Sequence, residues 1–349
     1  MINNNYLLTI AIPTYKRTQE LEKVINNLQK QRNQSFIIQI SDNDCYFDKT
    51  EKMIKKYQRE MPNLLYHKNV RNLGFSGNII KLYELAKTKY VWFLSDDDDV
   101  LTDSVDKILN VVNLYKPTVA IFNQLANTPF GEKIYGVKKD VVYTDINNFT
   151  DHTSLLRIIF ISALVMETGL SLNKIKKTNY QDHIFAQVVI ALVLLSHRFK
   201  FCESSSCIVY RNPGCKAGDF FKFIYVDLLK AIFSINHKFN NQKFVEISKK
   251  NFLINLQLYL SQKIGYTKFF QKPTKKTIKL IFKYYGLVHS ILILSIPIIS
   301  TIIPSFLLKL IYLIKLTLIF GFKKGWKLYK INTNRVLQDK RSTSFVNER

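Results

Sequence analysis

The sequence predicts an α/β fold in which a largely parallel sheet is covered by helices on both faces. Three observations carry this. Apolar residues make up 47% and charged residues 22% of the chain, the balance of a folded protein rather than a disordered one. Its 349 residues correspond to about two structural units. Through residues 1–125, short apolar runs alternate with helical patterns, and strands that alternate with helices build parallel sheets.

The elements follow in order. Leu7-Leu-Thr-Ile-Ala-Ile12 reads as a buried strand that Pro13 ends, and Leu21, Val24, Ile25 and Leu28 then share one helix face. Residues 36–40 form a second strand, Met53, Tyr57 and Met61 mark a second helix, and residues 64–67 form a third strand. Ser76 is expected to cap a helix whose inner face holds Ile79, Ile80, Tyr83 and Ala86. Residues 90–94 are a fourth strand, Thr102 or Asp103 starts a helix that runs to Tyr115, and residues 119–122 are a fifth strand. Further on, 130–143 read as a hairpin, and 154–165 and 182–195 as helices. Three regions are predicted: 1–125, 126–220, and a helical, basic region over 221–349. Ligands of such sheets bind beyond the carboxyl ends of the strands, which directs attention to the polar residues there.

Charge divides the chain unevenly. The formal net charge is +25, of which residues 1–200 carry +6 and residues 201–349 carry +19. Gly286 and the 22 residues after it contain no Lys, Arg, Asp or Glu, a run long enough to cross a bilayer. Pro297 and Pro304 interrupt that run, and lysines flank both sides (Lys276, Lys279, Lys283; Lys309, Lys315, Lys323, Lys324). A one-way span shows asymmetric positive charge, so an in-plane or re-entrant anchor on an anionic membrane surface fits better. The four cysteines, Cys45, Cys202, Cys207 and Cys215, match no zinc spacing and are expected to be reduced thiols. Residues 1–12 lack the basic start and long apolar core of a secretory signal, so the folded part is expected in the cytosol.

The sharpest chemical feature is Trp92-Phe-Leu-Ser-Asp96-Asp97-Asp98-Asp99. Four successive carboxylates repel one another, and at the end of a strand they suit a hard divalent cation, Mg²⁺ or Mn²⁺, held through oxygen. The plainer alternative is a solvated acidic turn ahead of the helix at Asp103.

Four motifs together resemble family 2 glycosyltransferases: Ile10-Ala-Ile-Pro13-Thr14-Tyr15-Lys-Arg17, Ser41-Asp42-Asn43, Asn72-Leu-Gly74-Phe-Ser76-Gly-Asn78 and Phe93-Leu-Ser-Asp96-Asp-Asp98. Within that family the chain is most similar to the abequosyltransferase-like branch of bacterial surface-polysaccharide synthesis. The resemblance implies a GT-A fold, a Rossmann-like, mostly parallel sheet flanked by helices, over residues 6–125 and more loosely to 215. It implies that Asp98 is the direct metal ligand, with Asp96 beside it toward ribose or metal and Asp97 in support. Asp42 would hydrogen-bond the base, and Pro13, Thr14, Tyr15 and Arg17 would line the nucleotide site. Asn72, Gly74 and Asn78 lie where a helix N-terminus favours phosphate. The family's catalytic base maps best to Asp182, next to His183, with Glu167 and Asp151 as competitors. Two departures stand out: Asp42-Asn-Asp44-Cys-Tyr-Phe-Asp48 is longer than the usual acidic run, and Gly77 replaces an Arg, leaving Arg71 as a phosphate contact. Tyr210-Arg211-Asn212 resembles the closing strand and loop.

The expected function is inverting sugar transfer from a nucleotide-sugar donor to a lipid-linked oligosaccharide in O-antigen, capsule or lipooligosaccharide synthesis, at the cytoplasmic face of a bacterial inner membrane. A nucleotidyltransferase is the alternative enzyme, although Ile12-Pro-Thr-Tyr-Lys-Arg17 lacks the glycine-rich loop that class carries. A basic, non-enzymatic nucleic-acid or membrane binder is the other alternative. Nucleic acid is the poorer partner, because the basic residues interleave with Ile and Leu.

Overall fold

In the computed structural model the described residues are 6–46, 48–128, 131–145, 157–169, 185–211 and 279. The chain divides into two compact units, residues 1–126 with 132–214 and 227–244, and residues 127–131 with 215–226 and 245–349. The described residues lie almost entirely in the first. Asp151, Asp182, His183, Asn212 and the 286–308 run lie outside them. Among the described residues no helix is long and apolar enough to cross a membrane.

Strand β1 (Leu8–Thr14) is central, with β2 (Phe36–Asp42) parallel on one side and β4 (Tyr90–Phe93) parallel on the other; β3 (Leu64–Lys68) extends the sheet beyond β2. Every residue of β1, β2 and β4 is buried, as strands covered on both faces must be. Helices α1 (Thr18–Gln29), α2 (Lys49–Tyr57) and α4 (Ser104–Tyr115) share one core with Leu8, Ile10, Ile12, Phe36, Ile38 and Ile40. Leu21, Val24, Ile25 and Leu28 are the residues α1 buries, each contributing about 2 kcal/mol of transfer free energy. Helix α3 (Gly74–Leu85) packs on β1 and β2 and meets α5 (Ala186–His197). Residues 186–195 of α5 are buried without exception, so it is a core helix.

Beyond β4 the sheet becomes mixed. Its order is β3-β2-β1-β4-β9-β6-β10-β5, with β7 (Gly131–Tyr135) on β6 and β8 (Val141–Tyr143) on β10. Strand β9 (Leu164–Glu167) runs antiparallel between β4 and β6 (Val119–Thr128), and β5 (Asp99–Val100) pairs antiparallel with β10 (Phe201–Arg211). The expectation of a largely parallel sheet therefore holds for β1 to β4, and antiparallel pairing enters with β9.

Three local expectations are corrected. Residues 161–167 form a 3₁₀ turn (Ile161–Ala163) and then β9 rather than the end of a helix, because a wholly buried apolar run of this length has no periodicity to tell strand from helix. Strands β7 and β8 do not pair with each other: Asn123 exchanges hydrogen bonds with Val137, and Asp140 accepts from the backbone N–H and hydroxyl of Ser205, so each strand is pinned to a different neighbour. Ser76 is not a cap, since α3 starts two residues earlier. There Asn72 Oδ1 accepts from Gly74 N (2.8 Å) and Asn43 Oδ1 from Leu73 N (3.3 Å).

Strand β1 also runs through Pro13. The last bond of its ladder with β4 is Leu94 N to Ala11 O at 3.0 Å, and the next would need an N–H on residue 13, which proline lacks.

Candidate active site

Strands β1, β2 and β4 end at one edge of the sheet, and their polar ends meet there. Thr14 sits opposite Asp42 in the β1–β2 register. Its hydroxyl donates to Asp96 Oδ2 at 2.8 Å. Lys16, with φ of 57°, turns the chain sharply after Tyr15, a conformation that costs a non-glycine residue about 1 kcal/mol. That turn brings Arg17 to the cap of α1, where one guanidinium nitrogen donates to Asp96 Oδ1 (3.0 Å) and to Asp97 Oδ2 (2.7 Å). Ser95 Oγ donates to Asp97 Oδ1 at 2.6 Å. Burial pushes the Asp96 carboxyl up to about 6, although Thr14 and Arg17 both favour its charged form. The same carboxylates raise the Arg17 pKa further above its ordinary value, against the effect of burial.

Asp98 is buried and accepts from Ser162 Oγ at 2.6 Å. Asp99 is exposed and belongs to β5; the cap of α4 is Asp103, so Asp99 is not a helix cap. The acidic run as a whole is not a solvated turn, because Asp96 and Asp98 are at most 5% exposed.

At the end of β2, Asp42 is wholly buried, with Tyr66 OH donating to Oδ2 (2.9 Å) and Asp44 N to Oδ1 (2.8 Å). Burial raises its carboxyl above the ordinary range, and burial together with Asp42 raises the Tyr66 hydroxyl. Asp44 is itself buried, and its Oδ1 has no hydrogen-bond partner among the described residues.

The loop before α3 is tied to β2 by amides. Asn69 Nδ2 lies within hydrogen-bond reach of Ser41 Oγ (3.1 Å), Asn43 Oδ1 (2.9 Å) and Asn78 Oδ1 (3.1 Å). Asn43 Nδ2 donates to Gly74 O, and Asn78 Nδ2 to Ser41 O. Asn78 is therefore a buried tie between α3 and β2, while Asn72 and Gly74 are exposed at the helix start. Gly74 has φ of 69°, which only glycine adopts without strain. Arg71 and Tyr15 are exposed near this edge.

The structure thus joins Thr14, Arg17, Asp96 and Asp97 by direct bonds, places Pro13 and Thr14 beside Asp42, and seats Asp98 on Ser162. Glu167, a competitor for the base, lies opposite Tyr90 at the start of β4 and is ion-paired with Arg198 (2.5 Å), at the far end of that strand from the acidic run. Asp48 is exposed and paired with Lys68. Arg211, at the end of β10, stacks on Phe160. Residues missed in the sequence are Ser162, Tyr66, Ser95 and Asn69. Only Ser95 and Asn69 had a signal, each being a polar residue just past a strand.

Residues 9–170 match the sequence model of glycosyl transferase family 2. That segment is a family 2 glycosyltransferase domain. The chain is 34% identical over 102 residues to abequosyltransferase RfbV of Salmonella typhimurium, covering 28% of this chain and 30% of that protein. It is 29% identical over 107 residues to GalNAc(5)-diNAcBac-PP-undecaprenol beta-1,3-glucosyltransferase of Campylobacter jejuni, covering 30% and 34%. The chain therefore matches about a third of the length of these curated relatives. In fold it is similar to S. aureus TarS 1-349 in complex with UDP-GlcNAc, with a TM-score of 0.56 and 14% identity over 97% of this chain and 92% of that one. A second TarS structure, in complex with UDP, gives a TM-score of 0.54 at 12% identity over 84% and 89%. The glycosyltransferase domain thus has a mixed α/β sheet with flanking helices, like that of GT-A glycosyltransferase structures.

The donors at the edge of this domain are carboxylate oxygens, the chemistry that suits Mg²⁺ or Mn²⁺. Among the described residues no group of three or more His, Cys, Asp or Glu side chains forms a metal cage. Such a cation, held by one or two carboxylates and the phosphates of its substrate, needs none.

Proposed function

We propose that the protein is an inverting glycosyltransferase that moves a sugar from a nucleotide-sugar donor to a lipid-linked oligosaccharide acceptor in bacterial surface-polysaccharide synthesis. The observation that carries this reading is the fixed acidic loop: Asp96 bonded to Thr14 and Arg17, and Asp98 to Ser162, at the strand edge that also holds Asp42. Asp42, with Pro13, Thr14 and Tyr15, binds the nucleoside. Asp96 faces the ribose or metal. The exposed start of α3, with Asn72, Gly74 and Arg71, is the place for phosphate. Asp98, with Asp96, is the ligand set for Mg²⁺ or Mn²⁺, which when bound neutralises the charge of the departing diphosphate. Removal of the acceptor proton falls to Asp182.

The names of the relatives support the donor and acceptor classes. The TarS structures are complexes with UDP and UDP-GlcNAc, and the Campylobacter jejuni relative is named for an undecaprenol-linked acceptor. The apolar segment 286–308 with its flanking lysines suits a cytoplasmic membrane surface that carries such an acceptor.

The test is nucleoside diphosphate release from a panel of UDP-, GDP-, CDP- and dTDP-sugars with Mn²⁺ and an undecaprenyl-diphosphate-linked acceptor. One donor class is expected to turn over in the native protein, and Asp98→Ala to lower the rate by about a hundredfold or more, as loss of charge stabilisation at a leaving group does. Pyrophosphate release from a nucleoside triphosphate and a sugar 1-phosphate, with no turnover of any nucleotide sugar, would make the protein a nucleotidyltransferase, and an unimpaired Asp98→Ala would overturn the site.

A further inference from the structure

We infer that Ser162 is a positioning residue of this site: its hydroxyl fixes the plane of the Asp98 carboxylate for the cation. The inference rests on the reading of Asp98 as a cation ligand given above. Ser162 is wholly buried in the 3₁₀ turn that leads into β9, 64 residues beyond Asp98 in the sequence. Three hydrogen bonds tie it to β4 and the acidic loop. Trp92 Nε1–H donates to the Ser162 carbonyl at 2.9 Å, Ser95 N–H donates to Ser162 Oγ at 3.0 Å, and Ser162 Oγ donates to Asp98 Oδ2 at 2.6 Å.

The direction of the last bond follows from chemistry. A hydroxyl carries one proton, and a backbone N–H can only donate, so Ser95 occupies an acceptor lone pair of Ser162. A carboxylate only accepts, so the single proton of Ser162 goes to Asp98. The separation of 2.6 Å is that of a charge-assisted O–H···O⁻ bond. Trp92 meanwhile holds the backbone from which the hydroxyl projects, so the serine cannot turn away without breaking bonds on both sides.

A hydroxyl is well suited to this task. It orients a carboxylate while leaving its negative charge in place, whereas the guanidinium that holds Asp96 and Asp97 offsets theirs. Carboxylates that bind metals are commonly held by hydrogen bonds of this kind, and loss of the holding group weakens metal affinity 10- to 100-fold. Ser162 also explains why the acidic loop is sealed by the turn before β9: the antiparallel strand between β4 and β6 delivers the hydroxyl to the end of β4.

The experiment measures Mn²⁺ affinity from the electron paramagnetic resonance signal of free Mn²⁺, in the full chain, with Mn²⁺ alone and with each of UDP, GDP, CDP and dTDP. Native protein, Ser162→Ala and Ser162→Cys are compared, and thermal unfolding establishes which variants are folded. Ser162→Ala is expected to raise the Mn²⁺ dissociation constant about tenfold, and Ser162→Cys, which keeps a weaker donor of similar shape, by a smaller factor. Metal-free binding of the same nucleotide, followed by calorimetry, should be unchanged in both. A serine that served stability alone would lower the melting temperature without moving Mn²⁺ affinity. Native affinity in either folded variant therefore overturns the role of Ser162 and leaves the cation reading standing. Native protein that takes up no Mn²⁺ with any of the four nucleotides overturns the cation reading, and the role of Ser162 falls with it.

Discussion

Asn69 should be among the costliest polar residues to replace in the domain. It is buried at the end of β3, its backbone N–H bonds to Asp42 O at 2.9 Å, and its side-chain amine faces three oxygens, on Ser41, Asn43 and Asn78. An amide NH₂ has two protons, so two of those bonds exist at once. Asn69→Asp keeps the shape and replaces both protons with an acceptor. Neither neighbouring amide can flip to compensate, because Asn43 Nδ2 is bonded to Gly74 O and Asn78 Nδ2 to Ser41 O. Two buried bonds at about 1 kcal/mol each, together with about 1–3 kcal/mol for acceptors left without donors, give a loss of about 3–5 kcal/mol. Asn69→Ala removes the bonds without adding a charge and should cost about 2–3 kcal/mol. Urea unfolding followed by tryptophan fluorescence measures both, since Trp92 is wholly buried in this domain. Nucleotide affinity should fall alongside, because Asn43 couples the hub to the Gly74 turn. An Asn69→Asp midpoint within about 0.5 kcal/mol of native would refute the accounting, and a loss smaller than that of Asn69→Ala would show that the acceptors do find donors.

Other perturbations read different parts of the site. Gly77→Ala ordinarily strengthens a helix by about 1 kcal/mol. Here a Cβ at position 77 would sit 2.8 Å from Leu73 Cβ, so a net loss of about 1–2 kcal/mol is expected, and a raised urea midpoint would contradict it. Thr14→Val removes the donor to Asp96 Oδ2 while keeping the side-chain shape, and should cost about 1.5–3 kcal/mol in urea unfolding at neutral pH; no change would mean that the hydroxyl is not needed there. Asp96 also sets a pH dependence in protein kept metal-free with EDTA. Its carboxyl ionises at about 6 when folded and at 3.8 unfolded, so the folded state holds that proton more tightly. The group's contribution to stability is complete below the unfolded value and is lost as pH rises through about 6, a change of about 3 kcal/mol. Asp96→Asn should remove that slope, and parallel stability curves for the two proteins would exclude it.

Much of the part built around β1 to β4 was legible because its signals are local. The face of α1 is written in Leu21, Val24, Ile25 and Leu28, all of which are buried, and the polar residues past β1, β2 and β4 do meet at one edge. The links that failed depend on distant partners. Nothing near Ser162 marks it, since its three bonds all go to residues 92–98. Strand β9 looks helical or strand-like until β4 and β6 are in place on either side. Asn78 sits on a motif that suggests ligand contact, yet its role as a tie follows from Asn69 and Ser41, which reach it from the ends of two strands. Strand ends were misjudged for a similar reason: β2 continues through Ser41 to Asp42 because Thr14 and Lys68 pair with it there.

Pro13 ends the pairing of the two central strands β1 and β4. After Leu94 N to Ala11 O, the next rung of a parallel ladder would run from the backbone nitrogen of residue 13 to the carbonyl of Leu94, and proline has no hydrogen to make it. The zipper between the two central strands stops one tooth early, and the chain carrying the aspartates is released to swing outward instead of being stitched down. A missing hydrogen atom thus works as a wedge, and a residue able to close that rung would be expected to hold the start of the acidic loop against β1.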